Sequence, residues 1–266
     1  MNSSFLSDGL RIASHLAMPP TFRAPARLPG VIVCHGFPFG PIDARQSAGT
    51  FPQLVERMAN EIGFAAMTFT FRGCGESEGS FSLAGWAADL RAAMDELARR
   101  VELDGLWLVG VSTGGSLAVC VAAEDPRVRG VALLSARADF DDLAAHPRRF
   151  LEHARDVGAI RDPRFPAQFD RWARELRQFR PIEAVRTLGD RPMLILHGDD
   201  DDTVPVVDAR LFAEAHGSAE LRILPGAGHR LRHDARALAV LLGWLDRTRN
   251  SVAPATTAHP PAPAGR

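Results

Sequence analysis

Ser112 lies in a sequence context that could make it a nucleophile. It is flanked by Gly110 and Gly114, it follows the apolar run Leu106–Val109, and a helical pattern begins at Leu117. A serine on a tight turn between a strand and a helix has a strained backbone, so its flanking residues must be small. The turn raises the hydroxyl above the sheet, where the helix N-terminus favours developing negative charge. This context predicts a serine nucleophile for acyl transfer.

The C-terminal third of the chain contains the histidine and the carboxylates that such a serine needs. His229 follows a glycine-containing segment, Pro225–Gly228, which itself follows the apolar run Leu221–Leu224. Four consecutive aspartates, Asp199–Asp202, come shortly after another apolar run, Met193–Leu196. A histidine can accept the serine proton, and a buried carboxylate must then orient the imidazolium that forms. The chain order of serine, acid and histidine is typical of one class of serine hydrolases.

The other histidines have weaker support as catalytic bases. His233 is close to His229, but Asp234 is expected to cap a helix and to draw His233 to the surface. We expect surface or packing roles for five further histidines: His15, His146, His153, His216 and His259. His229 is therefore the predicted base.

Buried strands that alternate with amphipathic helices are predicted to position these residues. Continuous apolar runs are typical of strands buried on both faces, and six of them occur, at Val31–Cys34, Phe64–Phe69, Leu106–Val111, Val128–Leu134, Met193–Leu196 and Leu221–Leu224. Helical spacing marks Leu83–Leu97 and Leu238–Leu245, and Thr50 with Gln53 is expected to form a capping box. The alternation favours an α/β fold, a mostly parallel sheet with helices on both faces.

The pattern predicts one catalytic domain with an insertion. The core comprises residues 1–136 and 191–249, and the strand pattern is interrupted between them by residues 137–190, which are rich in Arg, Asp and scattered Phe. We interpret this interruption as a helical cap. The segment Phe5–Met18 is expected to form an antiparallel hairpin at the edge of the sheet. Residues 250–266 are rich in Ala, Pro and Thr, which predicts a disordered tail.

Composition excludes several classes of function. All 31 Lys and Arg residues are Arg, and Tyr is absent, which excludes a Schiff-base lysine, a P-loop lysine and a tyrosine acid. The net charge of −1 argues against a nucleic-acid partner. No export signal and no run of about 18 apolar residues occur, so we expect no membrane span and a cytoplasmic location.

We expect neither a metal nor an organic cofactor. The cysteines Cys34, Cys74 and Cys120 lie in or beside apolar runs without the spacing of a metal site, which favours reduced, buried thiols. No cluster of His, Asp and Glu has ligand spacing, and no glycine-rich phosphate loop opens a helix. The expected partner is a small ester or thioester.

Three segments together resemble the α/β-hydrolase superfamily. They are His35–Pro38 after a strand, Phe71–Ser77, and the turn around Ser112, and the resemblance extends over residues 30–245. Within the superfamily, Arg72–Phe81 is most similar to small bacterial carboxylesterases related to cinnamoyl and feruloyl esterases. Thr70 departs from the pattern because many relatives have an aspartate there, which is expected to alter a contact in the loop rather than the chemistry. The resemblance implies an α/β-hydrolase fold with a helical cap insertion.

The resemblance also assigns roles to residues. The segment from His197 to Pro205 is similar to the acid loop of the superfamily and selects Asp201 as the acid, with Asp202 and Asp199 as alternatives, and the glycine loop selects His229 as the base. The oxyanion hole would consist of the backbone amides of Phe37 and Thr113. Pro38 cannot serve because it has no N–H, and His35 is expected to organise its loop by hydrogen bonding rather than to catalyse.

The function predicted from these motifs is that of a serine esterase, which forms an acyl-enzyme on Ser112. An acyl-thioesterase or a small serine peptidase would use the same triad and stays an alternative, as does an unrelated reaction such as C–C cleavage or perhydrolysis. A non-hydrolytic ligand-binding protein is less favoured, because such proteins often lose a triad member.

Overall fold

An eight-stranded, mostly parallel sheet forms the centre of the protein in a computed structural model, which describes residues 2–23, 26–40, 43–47 and 49–251. The strands are β1 (Asn2–Ser7), β2 (Leu10–Ala17), β3 (Leu28–Cys34), β4 (Ala65–Phe69), β5 (Leu103–Val111), β6 (Val128–Leu134), β7 (Met193–Gly198) and β8 (Glu220–Leu224). They lie in the order β1-β2-β4-β3-β5-β6-β7-β8. Strands β3 to β8 are mutually parallel, whereas β1 and β2 form an antiparallel hairpin at the edge. The predicted hairpin and the six predicted strands are confirmed.

Helices pack on both faces of the sheet, so the central strands such as β3, β4, β6 and β7 are buried on both sides. On β3, Val31 and Val33 pack against α1 (Phe51–Ile62) and α9 (Ala235–Ser251). The alternate residue Ile32 belongs to the opposite layer. The helices of that layer are α2 (Leu83–Arg100), α3 (Thr113–Glu124) and α8 (Val206–His216). This two-sided burial explains why the strands are continuous apolar runs rather than alternating ones.

Of the two helix N-caps predicted from the sequence, one is confirmed and one is wrong. Asp234 accepts a hydrogen bond from the Arg236 amide at 2.8 Å, so its predicted capping role is confirmed. The predicted capping box at Thr50 is wrong: Thr50 has helical dihedral angles, φ −112° and ψ −3°, and its side chain makes no cap hydrogen bond. A capping residue needs an extended backbone to aim its side-chain oxygen at the first amides.

Four helices lie between β6 and β7, in the predicted insertion of residues 137–190: α4 (Asp141–Ala145), α5 (Pro147–Asp156), α6 (Phe169–Gln178) and α7 (Pro181–Arg186). Helix α6 is joined to the core by two hydrogen bonds. The indole nitrogen of Trp172 donates to the carbonyl of Phe81 at 3.1 Å, and the Glu175 carboxylate accepts from the Ala84 amide at 3.0 Å. These bonds fix the insertion against the start of α2.

The last helix extends past the predicted end of the core. Helix α9 continues to Ser251, so the first two residues of the predicted tail are helical, and residues 252–266 lie outside the described residues. None of the helices in the described part of the chain combines the length and the apolar character that crossing a bilayer requires.

Candidate active site

Ser112 occupies a strained turn between β5 and α3. Its φ of 51° and ψ of −127° lie outside the regions that L-residues ordinarily adopt. A β-carbon on Gly110 would overlap the Cα of Gly115, and one on Gly114 would overlap the carbonyl oxygen of His35. Glycine is therefore required on both sides of the serine for steric reasons, as the sequence pattern indicates.

The side chain of His229 is oriented by Asp201. Its Nδ1 lies 3.0 Å from Oδ1 and 2.9 Å from Oδ2 of that carboxylate, and both side chains are buried. Because an ionised carboxylate can only accept, Nδ1 carries the proton and Nε2 is left as an acceptor. Nε2 is buried and has no hydrogen-bond partner among the described residues. A histidine in this tautomer can accept a proton at Nε2.

Asp201 is surrounded by hydrogen-bond donors. The amides of Thr203 and Val204 donate to its Oδ1 at 3.0 and 2.8 Å, and Nε2 of His197 lies 3.3 Å from its Oδ2. Burial favours the neutral acid, but the hydrogen bonds from His197, His229 and the two amides outweigh it and hold the pKa of Asp201 well below its ordinary value. The carboxylate is therefore ionised and can stabilise an imidazolium.

The neighbouring aspartates make other contacts. Asp199 accepts a hydrogen bond from the Gly226 amide at 2.6 Å, and Asp202 accepts one from the hydroxyl of Thr203 at 3.1 Å. Asp200 is exposed. Of the three aspartates that the sequence left open as the acid, Asp201 alone is hydrogen-bonded to the imidazole.

His197 supports the acid loop, a role that the sequence motif did not reveal. Its side chain is fully buried at the end of β7, and its Nε2 lies 2.9 Å from the carbonyl oxygen of Val204. The same N–H points towards Asp201, so one donor bridges both ends of the loop. The sequence signals for this histidine are its position at the end of a buried strand and its place as the first residue of the segment that resembles the acid loop.

The loop after β3 approaches Ser112 closely. A β-carbon on Gly36 would lie 2.9 Å from the Cβ of Ser112, so only glycine allows this approach. Phe37 is the next residue along this loop. The Thr113 amide is the first of helix α3 and has no carbonyl partner within the helix. Both predicted oxyanion donors thus belong to segments that adjoin the serine.

His35 organises this loop as a neutral imidazole. Its Nε2 accepts from the amide of Phe71 at 3.0 Å, so its Nδ1 carries the proton and donates to the carbonyl of Gly36 at 2.8 Å. Burial lowers the pKa of His35 to about 4, with a smaller contribution from the charge of Arg232. The bond to Gly36 fixes the peptide unit that carries the Phe37 amide.

The side chain of Phe37 packs into an aromatic cluster that the insertion completes. Its ring centroid lies 4.8 Å from that of Phe81, 5.2 Å from that of Phe150 and 5.9 Å from that of His153. Phe150 and His153 both belong to α5 of the insertion. The predicted insertion therefore contacts the loop that carries Phe37, one of the predicted oxyanion donors.

Ser112 and His229 line one small pocket of about 160 Å³. An apolar cavity of about 150 Å³ accommodates a single benzene-sized group. The ring of Phe39, which is 44% exposed, stands edge-on to the His229 ring with their centroids 5.2 Å apart. The pocket thus offers room for a small group beside the serine, and sequence reasoning had assigned no role to Phe39.

Other titratable groups lie apart from this arrangement. His233 is exposed, as predicted. Cys34, Cys74 and Cys120 are free and buried, and burial raises the pKa of Cys74 and of Cys120 to about 12. Over the described ranges, no group of three or more His, Cys, Asp or Glu is placed to hold a metal ion.

The chain belongs to the alpha/beta hydrolase family, because residues 31–241 match the model of that family. An uncharacterized protein of Mycobacterium tuberculosis is 29% identical over 206 residues, which are 76% of this chain and 63% of that protein. An uncharacterized 31.7 kDa protein of Escherichia coli is 34% identical over 157 residues, 52% of this chain and 46% of that protein. The chain thus spans less than two thirds of the length of these curated relatives.

Solved structures share the fold. The esterase Est1E of Butyrivibrio proteoclasticus, solved with ferulic acid, superposes with a TM-score of 0.68 at 23% identity, and covers 94% of this chain and 98% of its own. The esterase PF2001 of Pyrococcus furiosus gives a TM-score of 0.66 at 16% identity, with 93% and 90% coverage. At these identities the likeness shows an α/β-hydrolase fold, and the function must be argued from the site.

Proposed function

We propose that this protein hydrolyses carboxylic esters through an acyl-enzyme on Ser112, with His229 as the base and Asp201 as the acid. One observation carries the proposal. The Asp201 carboxylate holds His229 in the tautomer whose Nε2 is a buried acceptor without a hydrogen-bond partner among the described residues. His229 lines the same pocket as Ser112. A serine hydroxyl at that Nε2 would be activated for acyl transfer.

In the first step, Nε2 of His229 takes the Ser112 proton while Oγ attacks the ester carbonyl. The carbonyl π electrons move onto the oxygen, and the ionised Asp201 stabilises the imidazolium across the 2.9 Å bond to Nδ1. Catalytic hydrogen bonds in a free enzyme are often long and tighten only when substrate binds.

The tetrahedral oxyanion would be held by the amides of Phe37 and Thr113. Loss of one such donor typically costs about 10²- to 10³-fold in turnover. Collapse of the intermediate breaks the bond to the leaving alcohol, whose oxygen takes the proton from Nε2. Water then attacks the acyl carbonyl and gives its proton to the same nitrogen. When this second intermediate collapses, the bond to Oγ of Ser112 breaks and Oγ takes the proton back from Nε2, which releases the acid and restores the serine.

The insertion is proposed to act as a cap over the acyl group. This role is supported by the contacts of Phe150 and His153 with Phe37, since a side chain that packs on the oxyanion loop also limits the space beside it. The pocket volume of about 160 Å³ favours short or single-ring acyl groups over long chains.

The proposal is tested by labelling and by kinetics. A fluorophosphonate probe should modify the parent protein at Ser112 and should not modify Ser112→Ala, while the exposed Ser218→Ala serves as a control that still reacts. His229→Asn should abolish labelling, and the matched variant His233→Asn should retain it. Equal labelling of Ser112→Ala and the parent would refute the proposed nucleophile.

A substrate panel distinguishes the reactions that share this triad. The acetyl group should be offered as a p-nitrophenyl ester, a thioester and a p-nitroanilide at matched concentrations. We expect the ester to have the highest kcat/KM after each rate is divided by the uncatalysed rate. A higher normalised value for the thioester or the anilide would replace esterase by thioesterase or peptidase.

A further inference from the structure

The pocket around Ser112 has an excess of positive charge. The charged residues that line it are Arg230 and Arg232, and no acidic residue among the described ones does so. The whole chain has a net charge of −1, so the excess is local to the pocket.

Both arginines are positioned by the loop that carries the base. Arg230 directly follows His229, and Arg232 lies in the short helical turn that comes next. The guanidinium carbon of Arg232 lies 5.9 Å from the ring centroid of Phe51, another residue of the pocket wall. The charge of Arg232 also reaches His35 behind the oxyanion loop. Both arginines therefore form part of the pocket wall that also contains Ser112 and His229.

Two of the acidic side chains near His229 are engaged elsewhere, whereas Asp202 lines an adjoining pocket together with Arg230. Asp201 is bonded to His229, and Asp234 forms an ion pair with Arg236 at 2.6 Å. Within the described ranges, no ion pair involves Arg230, which is exposed to solvent. Its guanidinium is therefore available to a ligand at the mouth of the pocket.

We propose that Arg230 and Arg232 bind a carboxylate of the substrate, so that the preferred ester carries a negative charge a few bonds from the scissile carbonyl. This inference rests on the proposed esterase function. A guanidinium offers a fork of donors that matches a carboxylate, and the pocket of about 160 Å³ restricts the distance between the two groups. Arg232 also lines a neighbouring groove of about 750 Å³, which gives a longer substrate room beyond the carboxylate.

Two pairs of substrates of nearly equal shape test the proposal, one for each side of the ester. Monomethyl succinate and methyl succinamate differ in a carboxylate or an amide on the acyl side, and acetoxyacetate and acetoxyacetamide differ in the same way on the alcohol side. We expect kcat/KM, normalised to the uncatalysed rate, to be roughly tenfold or more higher for the carboxylate in at least one pair. Raising the salt concentration to about 1 M should reduce this ratio, because ions screen the interaction.

Charge-removing variants identify the residues responsible. Arg230→Gln and Arg232→Gln should lower the carboxylate-to-amide ratio, whereas Arg186→Gln, which removes the same charge from an exposed position on α7, should not. Thermal unfolding checks that each variant is folded. The salt dependence is measured on the parent protein, so that test does not depend on the folding of a variant. A protein that is labelled at Ser112 but shows ratios near one for both pairs overturns this inference alone. Absence of labelling overturns the proposed function as well.

Discussion

Replacing Asp201 by asparagine is expected to reverse the hydrogen-bonding pattern of His229. The oxygen of an asparagine would be held by the amides of Thr203 and Val204, which donate to Oδ1 at 3.0 and 2.8 Å. Its NH₂ group would then face Nδ1 of His229, 2.9 Å from the present Oδ2. The imidazole would have to accept at Nδ1 and carry its proton on Nε2, where the serine needs an acceptor.

The expected loss is large. We expect kcat/KM on a neutral ester to fall by roughly 10³- to 10⁴-fold, which is about 4 to 5.5 kcal/mol of transition-state stabilisation. The substitution also replaces charge-assisted bonds and points the NH₂ group at the N–H of His197, 3.3 Å from Oδ2. We therefore expect the free energy of unfolding to fall by about 2 to 4 kcal/mol.

Steady-state kinetics and urea unfolding measure the two effects separately. Asp202→Asn is the matched control, because Asp202 is exposed and bonds to the neighbouring Thr203 hydroxyl. Its unfolding free energy should change by less than about 0.5 kcal/mol, and its kcat/KM should stay near that of the parent. If a folded Asp201→Asn variant stayed within tenfold of the parent kcat/KM, Asp201 would not be the residue that orients the base.

Three further perturbations have defined outcomes. Gly36→Ala places a methyl group 2.9 Å from the Cβ of Ser112, so we expect kcat/KM to fall by about 10²-fold as the oxyanion donor shifts; unchanged kinetics would contradict this. Trp172→Phe removes the buried bond to the Phe81 carbonyl and should lower the unfolding free energy by about 1 to 3 kcal/mol in chemical denaturation. Because burial lowers the pKa of His35 to about 4, against about 6.5 in an unfolded chain, the unfolded state binds more protons between these pH values. The unfolding free energy should therefore fall by up to ~3 kcal/mol as the pH is lowered through this window, and His35→Asn should flatten the urea-derived profile there.

The sequence alone predicts those parts of the site whose steric or polar requirements involve residues that are close together in the chain. The nucleophile turn could be predicted because Ser112 needs glycine at Gly110 and Gly114, whose β-carbons would overlap neighbouring backbone. The strands could be predicted because burial on both faces produces continuous apolar runs. The choice of Asp201 among four aspartates needed a resemblance to known acid loops, since composition does not distinguish them.

Contacts between distant segments could not be predicted. Arg72 pairs with the buried Asp89 at 2.7 Å. This contact leaves no short-range pattern in the sequence, because 17 positions separate Arg72 from Asp89. The positive charge of the pocket could not be predicted either, because Arg232 and Phe51 are far apart in the sequence and come into contact only in the folded chain.

The central claim, that Ser112 becomes acylated during turnover, is tested most directly by pre-steady-state kinetics combined with peptide mass spectrometry. Mixing the protein with p-nitrophenyl acetate should release a burst of p-nitrophenol approaching one equivalent whenever deacylation is slower than acylation. The peptide that contains Ser112, isolated after rapid acid quenching, should carry one acetyl group, and the same peptide from Ser112→Ala should carry none. A burst of p-nitrophenol without acetyl at Ser112, or an acetyl group on another residue in a Ser112→Ala variant of full activity, would contradict the account.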